Sequence, residues 1–454
     1  MTLGELATRL GGTLSPIDNA GIEFGSFVTD SRDVPAGSVY LAIKGEHVDG
    51  HDFANAALLG GSVCAVVERT QELPCEILVP NLIEALANFG RSIRAEFTGP
   101  VVGLTGSNGK TTTKELLAAA LSPLGPVLKN LGNRNTEYTS PLVWHDLTPG
   151  HRAAVIEMGM RGFGQIRHLA SISQPTIAVI TCIGTAHIEK VGSRQGILEA
   201  KSEILENLPD GGHAILWRED DYFGDLVNRT RVPVTTFGSS PDADVQLVGY
   251  RMKSWSECAI RLRHGGEEFE VSLNAIGRHM GLNAAAAVAA AICAGVPFAD
   301  AVSALATADL PPMRMEERII AGSTYLVDTY NASPDSTVAA LRALGEGTAA
   351  GKKIAVLGEM RELGDFTESG HRLVGKAIAD THPDLVLLTG GPTQWMHQEA
   401  LAMGFPSGNM VVWDTLDLDA VKAKLVDLVK PGDVVLVKAS RALGLEQAIS
   451  EVVG

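Results

Sequence analysis

The chain has 454 residues, more than one hydrophobic core normally organises, so its length predicts roughly two to four domains. Hydrophobic residues make up 45% and charged residues 20%, the composition of a packed globular protein rather than a disordered one. The net charge of −16 is spread along the sequence, which argues against nucleic acid or an anionic membrane as the main partner.

Cysteine usage and the apolar tracts predict where the protein works. The five cysteines are scattered with no C-x-x-C pair, which is typical of reduced thiols without a bound metal. The N-terminal stretch lacks a basic region followed by an apolar one, and the most apolar tract, Ala284–Ala294, is shorter than the roughly 20 residues of a membrane span. We expect a cytoplasmic monomer with no membrane insertion.

Three segments follow one another along the chain. Residues 1–96 mix short strands, such as Ser38–Ile43 and Val63–Val67, with helix-like runs. Residues 97–311 alternate buried-type strands with helices, the pattern of a parallel sheet, and include a helix over Lys114–Leu121. Their predicted strands are Val101–Leu104, Ala153–Ile156, Thr176–Thr181 and His213–Trp217, followed by a hairpin, Cys258–Arg263 with Glu268–Leu273.

The third segment, residues 312–454, begins at a Pro-Pro pair and alternates strands with helical runs. This order predicts a Rossmann-like α/β domain. The predicted fold is therefore α/β in three domains: a central P-loop ATPase-type parallel sheet domain, flanked by an N-terminal α/β domain and the C-terminal Rossmann-like domain. The C-terminal strands are predicted at Tyr325–Asp328, Lys353–Leu357, Leu385–Thr389, Met410–Val412 and Val434–Val437.

A glycine-rich loop, G-L-T-G-S-N-G-K-T-T at 103–112, lies between a predicted strand and a predicted helix. Gly106 and Gly109 allow backbone N–H groups to face phosphate oxygens, and the helix N-terminus adds positive potential. Lys110 can reach the outer phosphates of a nucleotide, and the Thr111 hydroxyl can bind Mg²⁺. The loop predicts ATP binding, although Leu104 replaces the usual first glycine and the loop alone does not name the reaction.

Two side chains follow strands at the sheet edge that carries this loop. Glu157 ends the strand in A-V-I-E-M-G-M, where a carboxylate is suited to bind Mg²⁺. His187 follows another buried strand in I-T-C-I-G-T-A-H. Lys201 lies in a strongly helical stretch, and composition alone favours a solvated charge there.

Together the motifs resemble the Mur ligases, the ATP-dependent amide-forming enzymes of peptidoglycan synthesis. The resemblance spans nearly the whole chain in family order. The matching pieces are T-G-S-N-G-K-T-T at 105–112, E-M-G at 157–159, A-H-I-E-K-V-G-S at 186–193, E-A-K-S-E-I at 199–204, G-R-H-M-G-L-N-A-A-A-A at 277–287, D-T-Y-N-A-S-P-D-S at 328–336 and G-E-M-R-E-L-G at 358–364.

The resemblance implies two Mg²⁺ ions and assigns roles to numbered residues. Lys201 matches the position that is carbamoylated in the family, and Lys110, His187 and Lys201 are implied to be catalytic. The implied metal set is Thr111, Glu157, His187 and Lys201. The implied ATP set is Gly106, Ser107, Asn108, Gly109, Lys110, Thr111, Thr112, Asn283, Arg314 and Asp328, with Lys438, Ser440 and Arg441 near the domain interface.

The substrates implied by the resemblance are a UDP-linked muramoyl tripeptide and D-alanyl-D-alanine. The motifs T-D-S-R at 29–32 and D-G-H-D-F at 49–53 favour a UDP-sugar, and the D-N-P-R signature of the diaminopimelate-adding relative is absent. Implied substrate contacts are Thr29, Ser31 and Arg32 for the UDP group, Asn135 for the peptide, and Asn331 and Ser333 for the incoming dipeptide.

Two alternatives remain beside this interpretation. One is a related ligase with another acceptor, of the diaminopimelate-adding or folylpolyglutamate type, and the other is a nucleotide-binding protein that has lost catalysis. Three departures from the family pattern also affect the expected contacts. Met280 replaces a usual asparagine near adenine, and Thr136 and Thr139 replace a usual asparagine and glycine near the peptide.

Overall fold

The computed structural model describes residues 1–45 and 47–450, except the side chain of Ser450. Three β-sheets follow one another along the chain, and each lies within one of the three predicted segments. The end of the third predicted domain, residues 451–454, lies outside the described residues, as does residue 46 of the first. In the part of the chain that is described, no helix combines the length and apolar character needed to cross a bilayer.

The first sheet has five strands in the order β1-β5-β4-β3-β2 and is parallel except for the β1–β5 pair. Helix α1 begins at a Thr2–Glu5 capping box, which satisfies two backbone N–H groups reciprocally. The elements are α1 Leu3–Leu10, β1 Thr13–Ser15, β2 Ser26–Val28, β3 Ser38–Leu41, α2 Ala54–Leu59, β4 Cys64–Val67, β5 Glu76–Leu78 and α3 Leu82–Arg94.

The second sheet has nine strands in the order β14-β13-β12-β11-β10-β9-β6-β8-β7. The seven strands from β12 to β7 pair in parallel, and the antiparallel β12–β14 unit forms one edge. The strands are β6 Val101–Thr105, β7 Val127–Lys129, β8 Ala153–Glu157, β9 Ile177–Ile180, β10 His213–Trp217, β11 Val234–Gly238, β12 Val245–Met252, β13 Cys258–His264 and β14 Glu267–Leu273. The helices are α4 Lys110–Leu121, α5 Gln165–Ser173, α6 Ile188–Val191, α7 Arg194–Glu206, α8 Phe223–Arg229, α9 Arg278–Cys293 and α10 Phe298–Ala304.

Helix α4 begins at Lys110 and not at Lys114, so the predicted N-terminal boundary of this helix was wrong. The reason is Gly109, which lies in the left-handed region with φ of 79° and starts the helix without a side-chain cap. The first turn therefore leaves its backbone N–H groups open at the end of the glycine-rich loop. The predicted hairpin is confirmed, with a tight turn at Gly265 and Gly266.

Helix α9 packs beside α4 and contacts the glycine-rich loop. Its alanines from Ala284 to Ala291 are buried, and their small side chains let α9 pack closely against α4. The Asn283 side chain consequently lies against Gly109, where Asn283 Oδ1 is 2.6 Å from the position of a Cβ atom added to that glycine.

The third sheet has six strands in the order β15-β16-β20-β17-β18-β19, parallel except for the β15–β16 hairpin. The sequence prediction missed β15, which is short and half-exposed. The strands are β15 Glu316–Ile320, β16 Ser323–Asp328, β17 Lys353–Gly358, β18 Leu385–Thr389, β19 Met410–Trp413 and β20 Val434–Lys438. The helices are α11 Pro334–Glu346, α12 Thr367–Thr381, α13 Gln394–Ala402, α14 Leu418–Leu428 and α15 Gln447–Ser450.

The core of the first sheet offers a stability test that compares a buried leucine with an exposed one. Leu6 on α1 is 0% exposed, whereas Leu59 on α2 is 83% exposed. We expect Leu6→Ala to lower the free energy of unfolding of this segment by about 2–5 kcal/mol, because it removes buried methyl groups and leaves a cavity. Leu59→Ala is the matched control, and we expect it to change the value by less than about 0.5 kcal/mol. Equal effects of the two variants in urea denaturation would contradict this packing.

Candidate active site

The glycine-rich loop joins the carboxyl end of β6 to α4. Two of its glycines, Gly106 and Gly109, have no room for a side chain. Gly106 has φ of 150°, and a Cβ atom there would lie 1.8 Å from Thr181 Oγ1. The Thr181 hydroxyl in turn donates to the Asn108 carbonyl at 2.5 Å, and the Ser107 N–H donates to the Cys182 carbonyl at 3.0 Å. The loop is therefore held against the segment that directly follows β9.

Two lysines, the half-buried Lys110 and the buried Lys201, converge on one carbonyl oxygen of this loop. Lys110 Nζ donates to Gly106 O at 2.8 Å, and Lys201 Nζ, from α7, donates to the same oxygen at 2.9 Å. Burial lowers the pKa of Lys110, and burial together with the nearby Lys110 charge holds the pKa of Lys201 well below its usual range. Lys201 is 1% exposed, so the solvated charge favoured by composition alone was wrong.

A buried carboxylate lies beside the first turn of α4. Glu157 ends β8 and accepts hydrogen bonds on Oε1 from Asn135 Nδ2 at 2.7 Å and from Thr111 Oγ1 at 3.3 Å. Its other oxygen, Oε2, is buried and has no hydrogen-bond partner among the described residues. A buried anionic oxygen without a donor, next to a threonine hydroxyl, is a donor set that suits Mg²⁺.

No group of three or more His, Cys, Asp and Glu side chains gathers at metal-binding spacing in residues 1–45 and 47–450. A magnesium ion bound through Glu157 and Thr111 would therefore take its remaining ligands from phosphate oxygens and water, as this ion commonly does. The ligand roles expected for His187 and Lys201 stay predictions.

The C-terminal segment contacts the loop through polar side chains. Arg314 Nη2 donates to Thr111 Oγ1 at 3.1 Å, and the Arg314 guanidinium lies 4.3 Å from the ring centroid of Tyr330. The Ser333 hydroxyl, which caps α11, donates to Asn108 Oδ1 at 2.9 Å. Residues from both segments therefore share one phosphate-binding region.

A second set of contacts lies around His187, which precedes α6 with φ of 62°. His187 Nδ1 is hydrogen-bonded to Glu362 Oε2 at 2.5 Å, and this bond and the ion pair lower the pKa of Glu362. Nearby, Asp335 Oδ2 accepts from the N–H and the hydroxyl of Thr185, each at 3.2 Å. The E-M-R-E-L-G motif thus meets the strand end that carries the predicted catalytic histidine.

The ends of β16 and β20 form the opposite wall. Lys438 is 2% exposed and donates to Asp328 Oδ2 at 2.6 Å and to the Asn331 carbonyl at 3.0 Å. The Ser440 hydroxyl accepts from the Arg361 N–H at 2.9 Å. The carboxylate of Asp328 is therefore paired with a buried cation at the edge of the site.

One cavity of about 1040 Å³ connects these groups. Its lining comes from the loop, from α9 and from the C-terminal segment. Among the predicted site residues, those that line it are Ser107, Asn108, Gly109, Lys110, Thr111, Thr112, Asn135, Glu157, His187, Lys201, Asn283, Arg314, Asp328 and Asn331. The lining does not include Gly106, Ser333, Thr29, Ser31 or Arg32.

The T-D-S-R stretch lies apart from this cavity on the first segment. Thr29 and Arg32 are exposed and Ser31 is half-exposed. Arg32 donates to Asp30 through both Nε and Nη2, and this hydrogen-bonded pair lowers the pKa of Asp30 to about 2. The expected contact of these side chains with a UDP group stays a prediction.

The departures from the family pattern can be located. Met280 is buried on α9 and lines the cavity. The hydroxyls of Thr136 and Thr139 are hydrogen-bonded to each other at 2.9 Å, which closes a local turn in the stretch before Pro141. Sequence reasoning missed many of the cavity residues, among them Tyr330 and His279. The Y-N-A-S-P and G-R-H motifs that contain them were the available signal.

Fold and cavity together define a phosphate-loop α/β protein whose C-terminal segment completes the nucleotide region. Family models match three stretches of the chain: Mur ligase family, catalytic domain, over residues 26–92; Mur ligase middle domain, over 104–291; and Mur ligase, glutamate ligase domain, over 313–441. The chain belongs to the Mur ligase family and is an ATP-dependent amide-forming ligase.

Individual relatives resemble the chain over its full length. The UDP-N-acetylmuramoyl-tripeptide–D-alanyl-D-alanine ligase of Synechocystis is 34% identical, covering 99% of this chain and 97% of the relative. The crystal structure of MurF from Acinetobacter baumannii is 29% identical with a TM-score of 0.88, covering 99% and 98% of the two chains. MurF of Thermotoga maritima in complex with ADP is 32% identical with a TM-score of 0.80, covering 95% and 97%.

The close approach at Gly106 gives a test of the loop. We expect Gly106→Ala to weaken ADP binding at least about 10-fold, because the new methyl group meets Thr181 and the positive φ disfavours a side chain. Gly162→Ala is the control, since a Cβ atom there would have no neighbour within 4 Å. The measurement is isothermal titration calorimetry with ADP. An unchanged dissociation constant for Gly106→Ala would contradict this loop geometry.

Proposed function

We propose that the chain joins D-alanyl-D-alanine to UDP-N-acetylmuramoyl-tripeptide, using ATP, in the synthesis of peptidoglycan precursors. The observation that carries the proposal is the single cavity lined by both the phosphate loop and the C-terminal segment. The printed activity of the full-length relatives gives the substrate pair. We further propose that the enzyme works as a cytoplasmic monomer.

The first half-reaction moves the γ-phosphoryl group of ATP to the terminal carboxylate of the tripeptide, giving an acyl phosphate and ADP. Lys110 contacts the loop at Gly106 O and Arg314 contacts it at Thr111 Oγ1, and both cations would offset the charge that develops on the phosphoryl oxygens. Because Arg314 belongs to the C-terminal segment, its charge acts only while that segment is closed over the loop.

Magnesium fits the pair formed by Glu157 and Thr111, because Glu157 Oε2 is buried and lacks a donor. When bound, Mg²⁺ would neutralise phosphate charge and orient the transferring group. Asn135 Nδ2 donates to Glu157 Oε1 at 2.7 Å. This bond fixes the orientation of the carboxylate and therefore the position of Oε2.

Lys201 is proposed to be carbamoylated. The neutral amine attacks CO₂, forms an N–C bond and loses one proton, which converts the side chain to an anion. A lowered lysine pKa increases the fraction of neutral amine, and burial beside Lys110 supplies that lowering. The resulting anion would also relieve the repulsion between the two amines at Gly106 O.

In the second half-reaction the amine of D-alanyl-D-alanine attacks the acyl phosphate, and phosphate leaves from the tetrahedral intermediate. We propose that Asn331 and Ser333 lie near the dipeptide, Asn135 near the tripeptide, and Thr29, Ser31 and Arg32 near the UDP group. The hydroxyl of Ser333 is already engaged with Asn108, so its contribution is to hold the loop against α11. The closed cavity keeps water from the acyl phosphate.

Acceptors of the diaminopimelate-adding or folylpolyglutamate type are less well supported. The full-length relatives at 32–34% identity carry the D-alanyl-D-alanine name. An inactive nucleotide-binding protein is also disfavoured, since Lys110, Thr111, Glu157, His187 and Lys201 all line one cavity.

The reaction is tested by phosphate release from ATP. We expect release to require both UDP-muramoyl-tripeptide and D-alanyl-D-alanine and to yield the pentapeptide. We expect Lys110→Ala to reduce the rate more than about 10²-fold, because it removes one preorganised charge from the loop. The control is Lys376→Ala on the exposed surface of α12, which should keep the normal rate.

The assay separates the alternatives. Release with glutamate or diaminopimelate in place of the dipeptide would keep the ligase chemistry and overturn the proposed acceptor. Near-normal turnover by Lys110→Ala would overturn the role of the loop.

The carbamate has its own measurement. We expect protein incubated with ¹³C-bicarbonate to show a carbamate carbon resonance that Lys201→Ala lacks, and a short carboxylic acid such as acetate to restore part of that variant's activity. The added carboxylate would supply the missing negative charge in the space left by the lysine. A resonance that persists in Lys201→Ala would contradict the assignment to this side chain.

A further inference from the structure

A third lysine of this region is buried more completely than the phosphate-binding one. Lys114, one turn along α4, is 0% exposed. Its Nζ donates to the carbonyls of Asn130 at 2.8 Å and Gly132 at 3.0 Å, and it pairs with Glu115 Oε1 at 3.1 Å. Glu157 Oε2 lies 3.9 Å from the same nitrogen. A buried ammonium is costly unless all its N–H groups are used, and here three partners take them.

The segment that Lys114 contacts is a loop after β7, residues 130–138, which we call the cavity loop. Asn130 begins it and is 0% exposed. Its Oδ1 accepts from the Glu157 N–H at 2.6 Å and its Nδ2 donates to the Arg134 carbonyl at 2.6 Å. Further on, the Gly159 N–H donates to the Asn135 carbonyl at 2.9 Å. Lys114 thus supplies the positive member of a network that holds the first turn of this loop.

The remainder of the cavity loop faces the proposed substrates. Beyond the turn, its side chains are half-exposed or exposed. Those that line the 1040 Å³ cavity are Asn133, Asn135, Thr136, Glu137 and Tyr138. The residues that Lys114 holds and the residues that line the cavity therefore belong to one short stretch of chain. Displacement of the turn that Lys114 holds would displace the residues that line the cavity.

We propose that Lys114 is a positioning residue for the muramoyl-peptide subsite. Its ammonium ties the cavity loop to α4, the helix that begins with the phosphate-binding Lys110, and it lies beside the Glu157 carboxylate. The Lys114 cation thereby ties the peptide subsite to the helix of the phosphate loop, in addition to the bonds that Asn130 and Asn135 make to Glu157 and Gly159. The identity of the peptide rests on the proposed function, whereas the anchoring of the loop does not.

The experiment compares Lys114→Met and Lys114→Gln with Lys129→Met. Methionine keeps the volume without donors, and glutamine restores an N–H donor without charge. Lys129 is the matched control, because it pairs with the same Glu115 but is 31% exposed and lies outside the cavity loop. Three quantities are measured: hydrogen exchange of amides 131–138, the dissociation constant of UDP-muramoyl-tripeptide, and that of ADP.

For Lys114→Met we expect cavity-loop amides to exchange at least about 10-fold faster, since an anchored turn loses its donors. We expect the peptide dissociation constant to rise about 10- to 100-fold, with that of ADP changing less than about 3-fold. Lys114→Gln should restore part of the slow amide exchange and part of the peptide affinity. Lys129→Met should behave as the wild type.

The outcomes separate the positioning role from a general structural one. Unchanged loop exchange and peptide binding in Lys114→Met would overturn the proposal, as would equal losses of ADP and peptide binding with faster exchange throughout the chain. If Lys114→Met does not fold, the same comparison is made with Lys114→Gln. If the wild type fails to bind UDP-muramoyl-tripeptide while Lys114→Met still loosens the loop, the proposed substrate fails and the anchoring stands.

Discussion

The carboxylate of Glu157 is the group on which the arrangement of the site depends. It is 1% exposed at the end of β8, a strand of the second sheet, so its charge must be balanced locally. From α4 the carboxylate is approached by Thr111 and Lys114, and from the cavity loop by Asn135. The backbone N–H of Glu157 donates to Asn130 Oδ1. One buried anion therefore contacts both the helix of the phosphate loop and the loop that is proposed to face the peptide, so it fixes the positions of these two elements relative to each other.

The two lysines at Gly106 O show a different electrostatic principle. Both amines approach one carbonyl oxygen, which cannot offset two positive charges, so protonation of both amines at once is unfavourable. Burial lowers both pKa values, and the effect is greater for Lys201, which also experiences the charge of Lys110. The site therefore favours the binding of a negatively charged group, such as the triphosphate of a nucleotide.

Much of the architecture could be predicted because its signals are local. The apolar run before G-S-N-G-K-T-T identified β6, and the His-Gly-Gly turn identified the β13–β14 hairpin. The start of α4 was missed since Lys110, Thr111 and Thr112 have no apolar periodicity, and only the φ of Gly109 shows where the helix begins. Strand β15 was missed because its residues are half-exposed and alternate weakly.

Burial of charged side chains was the property that the sequence could not convey. Lys201 lies on a helix rich in charged residues, which resembles a solvated surface, and Lys114 is followed by a glutamate; only tertiary packing places both lysines inside. Contacts such as Arg314 to Thr111 join residues 203 positions apart, so no local pattern predicts their partners. The roles of these residues came from family resemblance, and their geometry came from the fold.

Several polar contacts join the central and C-terminal segments, and they bear on how the site would open. Arg314–Thr111, Ser333–Asn108, Asp335–Thr185 and Glu362–His187 would all have to separate if the C-terminal segment moved away to release products. A hydrogen bond exchanged for water changes the free energy by about 0.5–1.5 kcal/mol, or by about 1.5–3 kcal/mol where one partner is charged. Contacts of this size can each be replaced by contacts with water at modest cost, which would allow the cavity to open after the reaction.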